Sequence, residues 1–356
     1  MGKITIASIA EVANVSVGTV DRALNGRGRI SEETKRNILQ IAEELGYQPN
    51  KIASALGRKR KYRIAVITPR NPNFFHKHIL SGVLDAQREF SDYGLTVENI
   101  PCESLDVDEQ RRVLTAFDHT QFDGVAINAG GDALAPLINQ IVEDGVPVIT
   151  FNSDARDSER LLFVGENSYT SGQLSGDMMG RLLGGQGKVG VFTSFFHPGA
   201  AMDRRNGFCD TLRNDYPGIE IVVSEIYNDS VERARMVFDA AMREHPDLDG
   251  AFSNSASGSV ALGDWVYDNP SAKKPVLIGY DVSERVEEYL KMGICDMIID
   301  QEPRRQSYLA VSLLFKHLSE HWMPIKSILE IRSKIVMRFN ASSHSMVHLD
   351  GDMSLL

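Results

Sequence analysis

The sequence predicts a multidomain protein, with an all-α helix-turn-helix headpiece followed by two α/β lobes that contain parallel sheets. Apolar residues recur at helical spacing in short N-terminal segments, which indicates small helices. From Arg63 onward, short apolar strands alternate with amphipathic helices, an order typical of parallel sheets covered on both faces. The 356 residues exceed the length of one ordinary domain, and 42% hydrophobic with 24% charged residues is typical of a globular protein.

The headpiece is predicted from helix caps and apolar spacing. Thr5 and Ser16 each precede a short apolar-periodic segment and can cap a helix, with a tight turn between the two segments. Ser31 begins a third predicted helix, and two glutamates in its first turn face the positive end of the helix dipole. Gly46 is a favourable left-handed residue at the end of that helix. Three small helices would therefore form one compact unit.

Charge is distributed unevenly along the chain. Residues 1 to 63 contain 5 Lys and 7 Arg against 1 Asp and 5 Glu, a net charge of +6. Because the whole chain carries −10, the remaining residues carry −16. A basic head on an acidic body can gain phosphate contacts while the body stays away from a polyanion. The pattern favours a nucleic-acid partner for the headpiece alone.

The second predicted helix, residues 17 to 24, has the features of a recognition helix whose first residues reach base edges in the major groove of double-stranded DNA. Arg22 can bond a guanine through two hydrogen bonds, whereas Val17 and Gly18 offer apolar contact or close approach. Other predicted DNA contacts are the hydroxyl and amide residues Thr5, Ser16, Thr19 and Asn25, of which the last three can hold phosphates. Other small helical hairpins can imitate this pattern.

The run VSVGTVDRALNGRGRISEETKRNILQIAEELGYQPNKIASAL resembles the headpiece of the lactose-repressor family of bacterial transcription regulators, and the resemblance extends to about Asn340. Its most specific parts are VSVGTV, ISEET, LGYQPN and the spacing of Asn50, Ala53 and Leu56. The resemblance implies a hinge helix that folds when two protomers meet on DNA, with Leu56 wedged into the minor groove of a palindrome. Asp21 replaces the small hydroxyl residue usual in the family, which leaves open the bases that Arg22 reads.

The same reasoning gives the domain boundaries. We expect the headpiece at residues 1–48, a hinge helix and basic linker at 49–62, and a two-lobed domain at 63–340. The N-lobe is predicted at 63–164 and 296–325 and the C-lobe at 165–295 and 326–340, with a loose tail at 341–356. The basic run from Arg58 to Lys61 can tether the linker near phosphates, and a merely solvated linker is the alternative.

Polar and aromatic residues follow the predicted strands. Parallel sheets bind ligands at the carboxyl ends of their strands, where the loops face a cleft. Aromatic faces, carboxylates and amides in these loops suit a polyhydroxylated ligand such as a monosaccharide or a polyol. The candidate residues are Phe74, Phe75, Asn152, Asp154, Arg204, Asn254, Asp281 and Gln301.

The second part of the chain, the two-lobed domain, resembles the effector domain of the same family, which is similar to periplasmic sugar-binding proteins of the ribose type. This resemblance implies a periplasmic-binding-protein-like (type I) fold. It also implies that the same candidate residues contact the ligand, with Phe75 or Phe74 as the aromatic of the NPNFF motif. Two alternatives stay open. Asn254 and Asp281 can cap the following helices, and Phe74 or Phe75 can belong to the core.

Other classes of function lack support in the sequence. The glycines of GGQGKVG precede a strand, whereas a dinucleotide-binding motif must follow one, and no GxSxG elbow or metal-ligand pattern is present. We therefore expect no catalytic residues, no metal and no cofactor. The sequence has no apolar run long enough to span a membrane and no signal core, and its three cysteines are far apart, so a cytoplasmic location is expected.

These features predict a transcriptional regulator, most simply a repressor, that binds a palindromic operator as a homodimer. A small sugar or polyol between the lobes would control DNA affinity allosterically. The sequence leaves the sign of the effect open, because the ligand can act as an inducer or as a corepressor. A sugar-binding module or receptor without a gene-regulatory role is the alternative.

Overall fold

The computed structural model describes residues 6–24, 30–45, 60–69, 74–103, 106–194 and 199–341. The chain divides into two compact units, and the main division falls between Lys61 and Tyr62. None of the helices in these described ranges is long and apolar enough to cross a membrane.

The first unit contains three short helices that pack on one another: α1 (Ile6–Val12), α2 (Val17–Leu24) and α3 (Glu32–Glu44). Each contributes one fully buried residue to a common core, namely Ile9, Val20 and Ile38. The predicted caps of the second and third helices are present, because the Ser16 and Ser31 hydroxyls accept from backbone N–H groups three residues later. The fold of this unit is therefore the predicted helix-turn-helix with a third supporting helix.

The second unit consists of two six-stranded sheets with helices between the strands. The twelve strands are β1 (Tyr62–Pro69), β2 (Leu95–Cys102), β3 (Gly124–Ile127), β4 (Val148–Phe151), β5 (Leu162–Gly165), β6 (Gln186–Thr193), β7 (Gly218–Ile226), β8 (Gly250–Ser253), β9 (Val276–Tyr280), β10 (Met297–Asp300), β11 (Ile328–Glu330) and β12 (Lys334–Val336). The helices are α4 (Phe74–Phe90), α5 (Val107–Ala116), α6 (Ala135–Glu143), α7 (Ser168–Leu182), α8 (Ala200–Asp215), α9 (Val231–Glu244), α10 (Ala256–Asp268), α11 (Glu284–Met292) and α12 (Pro303–Glu320).

The two sheets define two lobes with the same strand arrangement. The first sheet has the order β11-β5-β4-β3-β1-β2 and the second the order β12-β10-β9-β8-β6-β7. Every pairing is parallel except that of β12 with β10, which is antiparallel. Successive residues of β8 and β9 alternate between two apolar clusters, so both faces of the second sheet are covered. The predicted fold of two parallel α/β lobes is confirmed.

The division of the C-terminal segment between the lobes differs from the prediction. β10 was expected in the N-lobe (296–325), yet it pairs with β9 of the second sheet. Conversely, β11 was expected in the C-lobe (326–340), yet it pairs with β5 of the first sheet. The chain therefore crosses between the sheets after β10 and again between β11 and β12. Strands of three or four residues carry no local signal for the sheet that they join, because their partners are distant in sequence.

Candidate functional site

In the headpiece, the first residues of α2 form an exposed surface. Val17 is 52% exposed, and Gly18 beside it is also exposed. The Arg22 side chain lies back over this turn, donating from Nε to the Gly18 carbonyl at 2.9 Å and from Nη2 to the Thr19 hydroxyl at 3.3 Å. The Ser16 and Thr19 hydroxyls are 2.9 Å apart. Five of the predicted DNA contacts thus share one end of α2.

Several predicted residues lie outside the described part of the chain. They are the DNA contacts Thr5, Asn25, Asn50, Ala53 and Leu56, together with the side chains of Asp21 and Phe74. Most of the predicted hinge and linker and nearly all of the predicted tail fall outside it as well.

A cavity lies in the second unit at the carboxyl ends of strands from both sheets. Phe75, His76, Gly130, Asn152 and Ser153 line it from the first lobe. Polar side chains from the second lobe and from the crossing after β10 line the other side: Ser194, Arg204, Asp229, Asn254, Ser255, Asp281 and Gln301. Six of the eight ligand-binding candidates from the sequence are therefore brought together.

Arg204 is at the centre of the polar network in this cavity. Its Nε and Nη2 lie 2.7 and 2.6 Å from Glu166 Oε1, and its Nη1 donates to the Asn254 carbonyl at 3.2 Å. The guanidinium also stacks over the Tyr280 ring, 4.5 Å from its centre. Burial disfavours the charge, but the nearby carboxylates of Glu166 and Asp281 outweigh it, so the pKa of Arg204 is raised.

Close packing of α7 against α8 fixes the position of Arg204. A Cβ atom at Gly172 of α7 would overlap the carbonyl of Arg204, and one at Gly207 of α8 would overlap the carbonyl of Tyr169. Only glycine allows the two helices to approach this closely. The arginine is thereby held next to Glu166, which follows β5 directly.

Gln301 joins the two sides of the cavity. It follows β10, and its Oε1 accepts from Asn152 Nδ2 at 2.7 Å and from Arg204 Nη2 at 2.6 Å. Its Nε2 donates to both oxygens of Asp281 at 3.1 Å. Asn152 belongs to the first lobe, whereas Arg204 and Asp281 belong to the second. One amide group therefore connects the lobes.

Burial acts against the charged forms of Asp229, Asp281 and His76 at the cavity. Burial raises the pKa of Asp281 well above its ordinary value, although Arg204 acts in the opposite direction. Burial also raises the pKa of Asp229, against the hydrogen bonds from Ser257 and Ser255. On the first lobe, burial lowers the pKa of His76 to about 4, so its imidazole is uncharged at neutral pH.

Asp154 does not line this cavity, unlike the six candidates named above. Its carboxylate accepts from Arg160 Nε at 2.5 Å and from the Thr150 hydroxyl at 2.6 Å. It borders a neighbouring cavity of about 700 Å³ between β5, α7 and the end of β11. Asp154 lies three residues beyond β4, and its carboxylate is held by Arg160 and Thr150 outside this cavity.

The geometry also excludes the alternative that Asn254 and Asp281 cap the helices that follow them. The residues that cap α10 and α11 are Ser255 and Ser283, so neither candidate caps a helix. Asn254 instead accepts from the Ser194 N–H and donates to the Ala201 carbonyl, both at 2.8 Å. Its side chain thus holds the cavity wall as well as lining it.

Sequence reasoning missed six polar residues at this site. His76 follows the predicted aromatic, and the other five each lie within three residues of a strand end: Ser153, Glu166, Ser194, Asp229 and Ser255. The rule that selected Asn152 and Asp281 would also have found these five had it been applied to every strand. His76 had no such signal, since it lies in the first turn of α4.

Comparisons with known proteins agree with this architecture. Residues 5–50 match the model of the lacI family of bacterial regulatory proteins, and residues 64–321 match that of the periplasmic binding protein domain. The ribose operon repressor of Halalkalibacterium halodurans is 26% identical over 70% of this chain and 71% of its own length. The probable transcriptional repressor ExuR of Bacillus subtilis is 32% identical, but the match spans only 43% of this chain and 44% of that protein.

Solved structures with this fold cover the second unit. A solute-binding protein of Burkholderia graminis, solved with D-arabinose, has a TM-score of 0.74 at 23% identity and covers 80% of this chain and 98% of its own. The arabinose-binding protein AraP of Geobacillus stearothermophilus has a TM-score of 0.65 at 26% identity, covering 80% and 99%. The chain therefore carries an N-terminal DNA-binding domain of the type found in the lacI family of bacterial regulatory proteins, and through residues 64–321 it belongs to the periplasmic binding protein domain family.

Proposed function

We propose that this regulator is a repressor that binds a palindromic DNA operator as a homodimer in the cytoplasm, and that a small sugar or polyol in the cavity controls its DNA affinity. The observation that carries the proposal is the presence of both parts in one chain. The headpiece offers an exposed helix end with Arg22 over it, and the second unit offers a cavity that gathers hydroxyl, amide, carboxyl and aromatic groups.

The ligand class is supported by the chemistry of the cavity and by relatives. Carboxylate and amide oxygens accept from sugar hydroxyls, and the Phe75 ring offers a face for sugar C–H groups. The relatives are named as a ribose operon repressor and an arabinose-binding protein. We therefore place pentoses first among the effectors to be tested.

The bond of Asn152 to Gln301 joins the two sides of the cavity and so supports the proposal that ligand binding is coupled to DNA binding. A ligand that contacts both lobes stabilises one arrangement of the lobes relative to another. This shift can change DNA binding only if the two arrangements differ in DNA affinity. The influence must be reciprocal, so operator DNA must change the affinity for the sugar by the same factor. This reciprocity separates a switch from two independent binding domains.

DNA binding is tested with the full-length protein. A palindrome selected from a random duplex library is titrated by fluorescence anisotropy at two salt concentrations, with and without D-ribose or D-arabinose. Affinity that falls with salt and changes with one of the sugars is expected. Absence of salt-dependent binding to any selected duplex would refute the regulator, whereas sugar binding without DNA binding would favour a plain sugar-binding module.

A matched pair of variants locates the reading residue. Arg22→Ala should lower affinity for the selected palindrome by about tenfold or more, because a bidentate contact with guanine is lost. Arg36→Ala removes the same charge from an exposed position on α3 and serves as the control. Ligand-induced thermal shifts should be the same in both variants. Equal losses of DNA affinity would mean that Arg22 acts only through its charge.

A further inference from the structure

The described residues that line the cavity carry few charges. One is the cation Arg204, and two are the carboxyl groups of Asp229 and Asp281. His76 contributes none at neutral pH because burial keeps its imidazole unprotonated. The single cation therefore decides whether an anionic ligand can find a partner here.

Arg204 is already engaged by the protein. Each of its three guanidinium nitrogens donates to a protein oxygen, on Glu166, Gln301 or the Asn254 backbone. The side chain of Glu166 is itself fully buried, and its second oxygen accepts from the Ser333 hydroxyl at 2.6 Å. An entering carboxylate or phosphate would have to compete with this internal carboxylate for the same charge.

Asp229 adds an acceptor on the second-lobe wall. Its Oδ1 accepts from the hydroxyls of Ser255 and Ser257. Its Oδ2 has no hydrogen bond to any residue in the described part of the chain, and the residue lines the cavity. Such an oxygen suits a hydroxyl or amine donor of a ligand and repels an anion.

We propose that the cavity selects its ligand by charge, accepting neutral and amino sugars and rejecting sugar acids and sugar phosphates. Asp229 contacts a donor group of the ligand, and Glu166 acts as a positioning residue that neutralises Arg204. The inference rests on the proposed function, since it assumes that the effector binds in this cavity. A buried cation without a carboxylate partner would attract an anion. A buried cation that is already paired with a carboxylate, and that lies near a second carboxyl group, does not.

The wild-type protein is titrated calorimetrically with matched sugars: D-ribose against D-ribose 5-phosphate, and D-galactose against D-galacturonate. For whichever parent sugar binds, its acidic counterpart should bind about tenfold or more weakly, which corresponds to one unfavourable charge contact. An acid or phosphate that binds as tightly as its parent sugar would overturn the inference and leave the proposed function standing. Failure of every sugar and polyol to bind would instead refute the proposed effector site.

Two variants test the assigned residues. Glu166→Gln keeps the shape and an acceptor for Arg204 but removes the internal charge, so the affinity for D-galacturonate relative to D-galactose, or for the phosphate relative to ribose, should rise about tenfold. Asp229→Asn should change the ratio in the same direction. The ratio of two dissociation constants is unaffected by a loss of stability, because both ligands bind the same folded fraction.

The control for these variants is Asp247→Asn. It removes one carboxylate from the second lobe at an exposed position, where Asp247 pairs with Lys188. The ratio of affinities should stay as in the wild type. An unchanged ratio in both Glu166→Gln and Asp229→Asn would overturn the assignment of these residues.

Discussion

Two arginine–carboxylate pairs in the second unit are almost completely buried, and they differ in what surrounds them. Arg160 pairs with Asp154 in the first lobe, and Arg204 pairs with Glu166 at the cavity. All four side chains are at most 9% exposed. Each guanidinium also lies over an aromatic ring, Phe163 in the first case and Tyr280 in the second.

We call the first pair closed because its hydrogen bonds stay within the first lobe. We call the second pair open because Arg204 bonds Gln301, which also bonds Asn152 of the first lobe. Asp154 takes its remaining hydrogen bond from Thr150, and Arg160 donates its spare N–H to the Ser327 carbonyl. Arg204, by contrast, extends through Gln301 towards both lobes. Burial and pairing therefore do not distinguish the arginine that lines the cavity from the one that does not. The two differ in where the N–H groups that do not bond the carboxylate are directed.

The largest expected effect is that of Arg204→Ala. Removing the cation leaves Glu166 buried without a partner, which should lower the free energy of unfolding by about 3–5 kcal/mol. Sugar affinity should fall about a hundredfold, because Gln301 also loses its anchor. Denaturant unfolding and calorimetric titration measure the two quantities. Retention of sugar affinity would show that the open pair is as structural as the closed one.

Asp154→Asn should separate stability from binding. The change leaves Arg160 charged and buried, so the free energy of unfolding should again fall, by about 3 kcal/mol. Sugar affinity of the folded protein should remain within about twofold, because no ligand contact is lost. The same two measurements apply. A large loss of affinity at unchanged stability would restore Asp154 to the ligand-binding set.

The dependence of protein stability on acid pH tests whether the buried His76 imidazole is uncharged. Between pH 6.5 and about pH 4, unfolded His76 binds a proton that the folded protein does not bind, so stability must fall as the pH is lowered through this range. From pH 7 to pH 5 this contributes about 2 kcal/mol.

Asp229 and Asp281 act in the opposite direction, because their raised pKa values let the folded protein bind protons more readily. The effect of His76 is therefore read as the difference between the wild type and His76→Asn in unfolding experiments at the two pH values. Equal acid responses of the two proteins would contradict the neutral imidazole.

The smallest effect concerns the bond between the lobes. Asn152→Gly retains the backbone, since glycine adopts the φ of 62° at this position without strain, but it removes the amide that donates to Gln301. It also removes the amide oxygen that accepts from Asn128 Nδ2 at 3.3 Å within the first lobe. Sugar affinity should fall about fivefold for the loss of the hydrogen bond to Gln301, which is worth about 1 kcal/mol. Asn14→Gly in the headpiece, also at positive φ, controls for the change in backbone freedom. Equal sugar affinities in the wild type, Asn152→Gly and Asn14→Gly would show that the Asn152 amide does not contribute to sugar binding.

The sequence predicted most of the cavity because one geometric rule applies to every parallel sheet. The carboxyl ends of the strands meet at one edge, so residues such as Asn152, Asp281 and Gln301 converge even though they are distant in sequence. The rule predicts which positions are near the cleft. It does not predict which atoms are already satisfied by the protein.

The missed features depend on contacts that no local pattern records. Arg160, six residues beyond Asp154, determines where that carboxylate points. Glu166 lies directly after β5, so the strand-end rule covers its position, but its bond to Arg204, 38 residues later, has no local signal. The same limit explains the exchanged strands β10 and β11, whose sheet is set by partners elsewhere in the chain.

Three polar residues of the cavity have a left-handed backbone: Asn152, Asp229 and Asp281, with φ values of 62°, 51° and 64°. Glycine would relieve a strain of about 1 kcal/mol at each position, and it would also delete the side chain that lines the cavity. Stabilising this protein by exchanging its left-handed residues for glycine would therefore remove polar side chains from the cavity wall. Tolerance to heat and the proposed response to a sugar are thus in conflict at these three positions, and an engineer can improve one only by giving up part of the other.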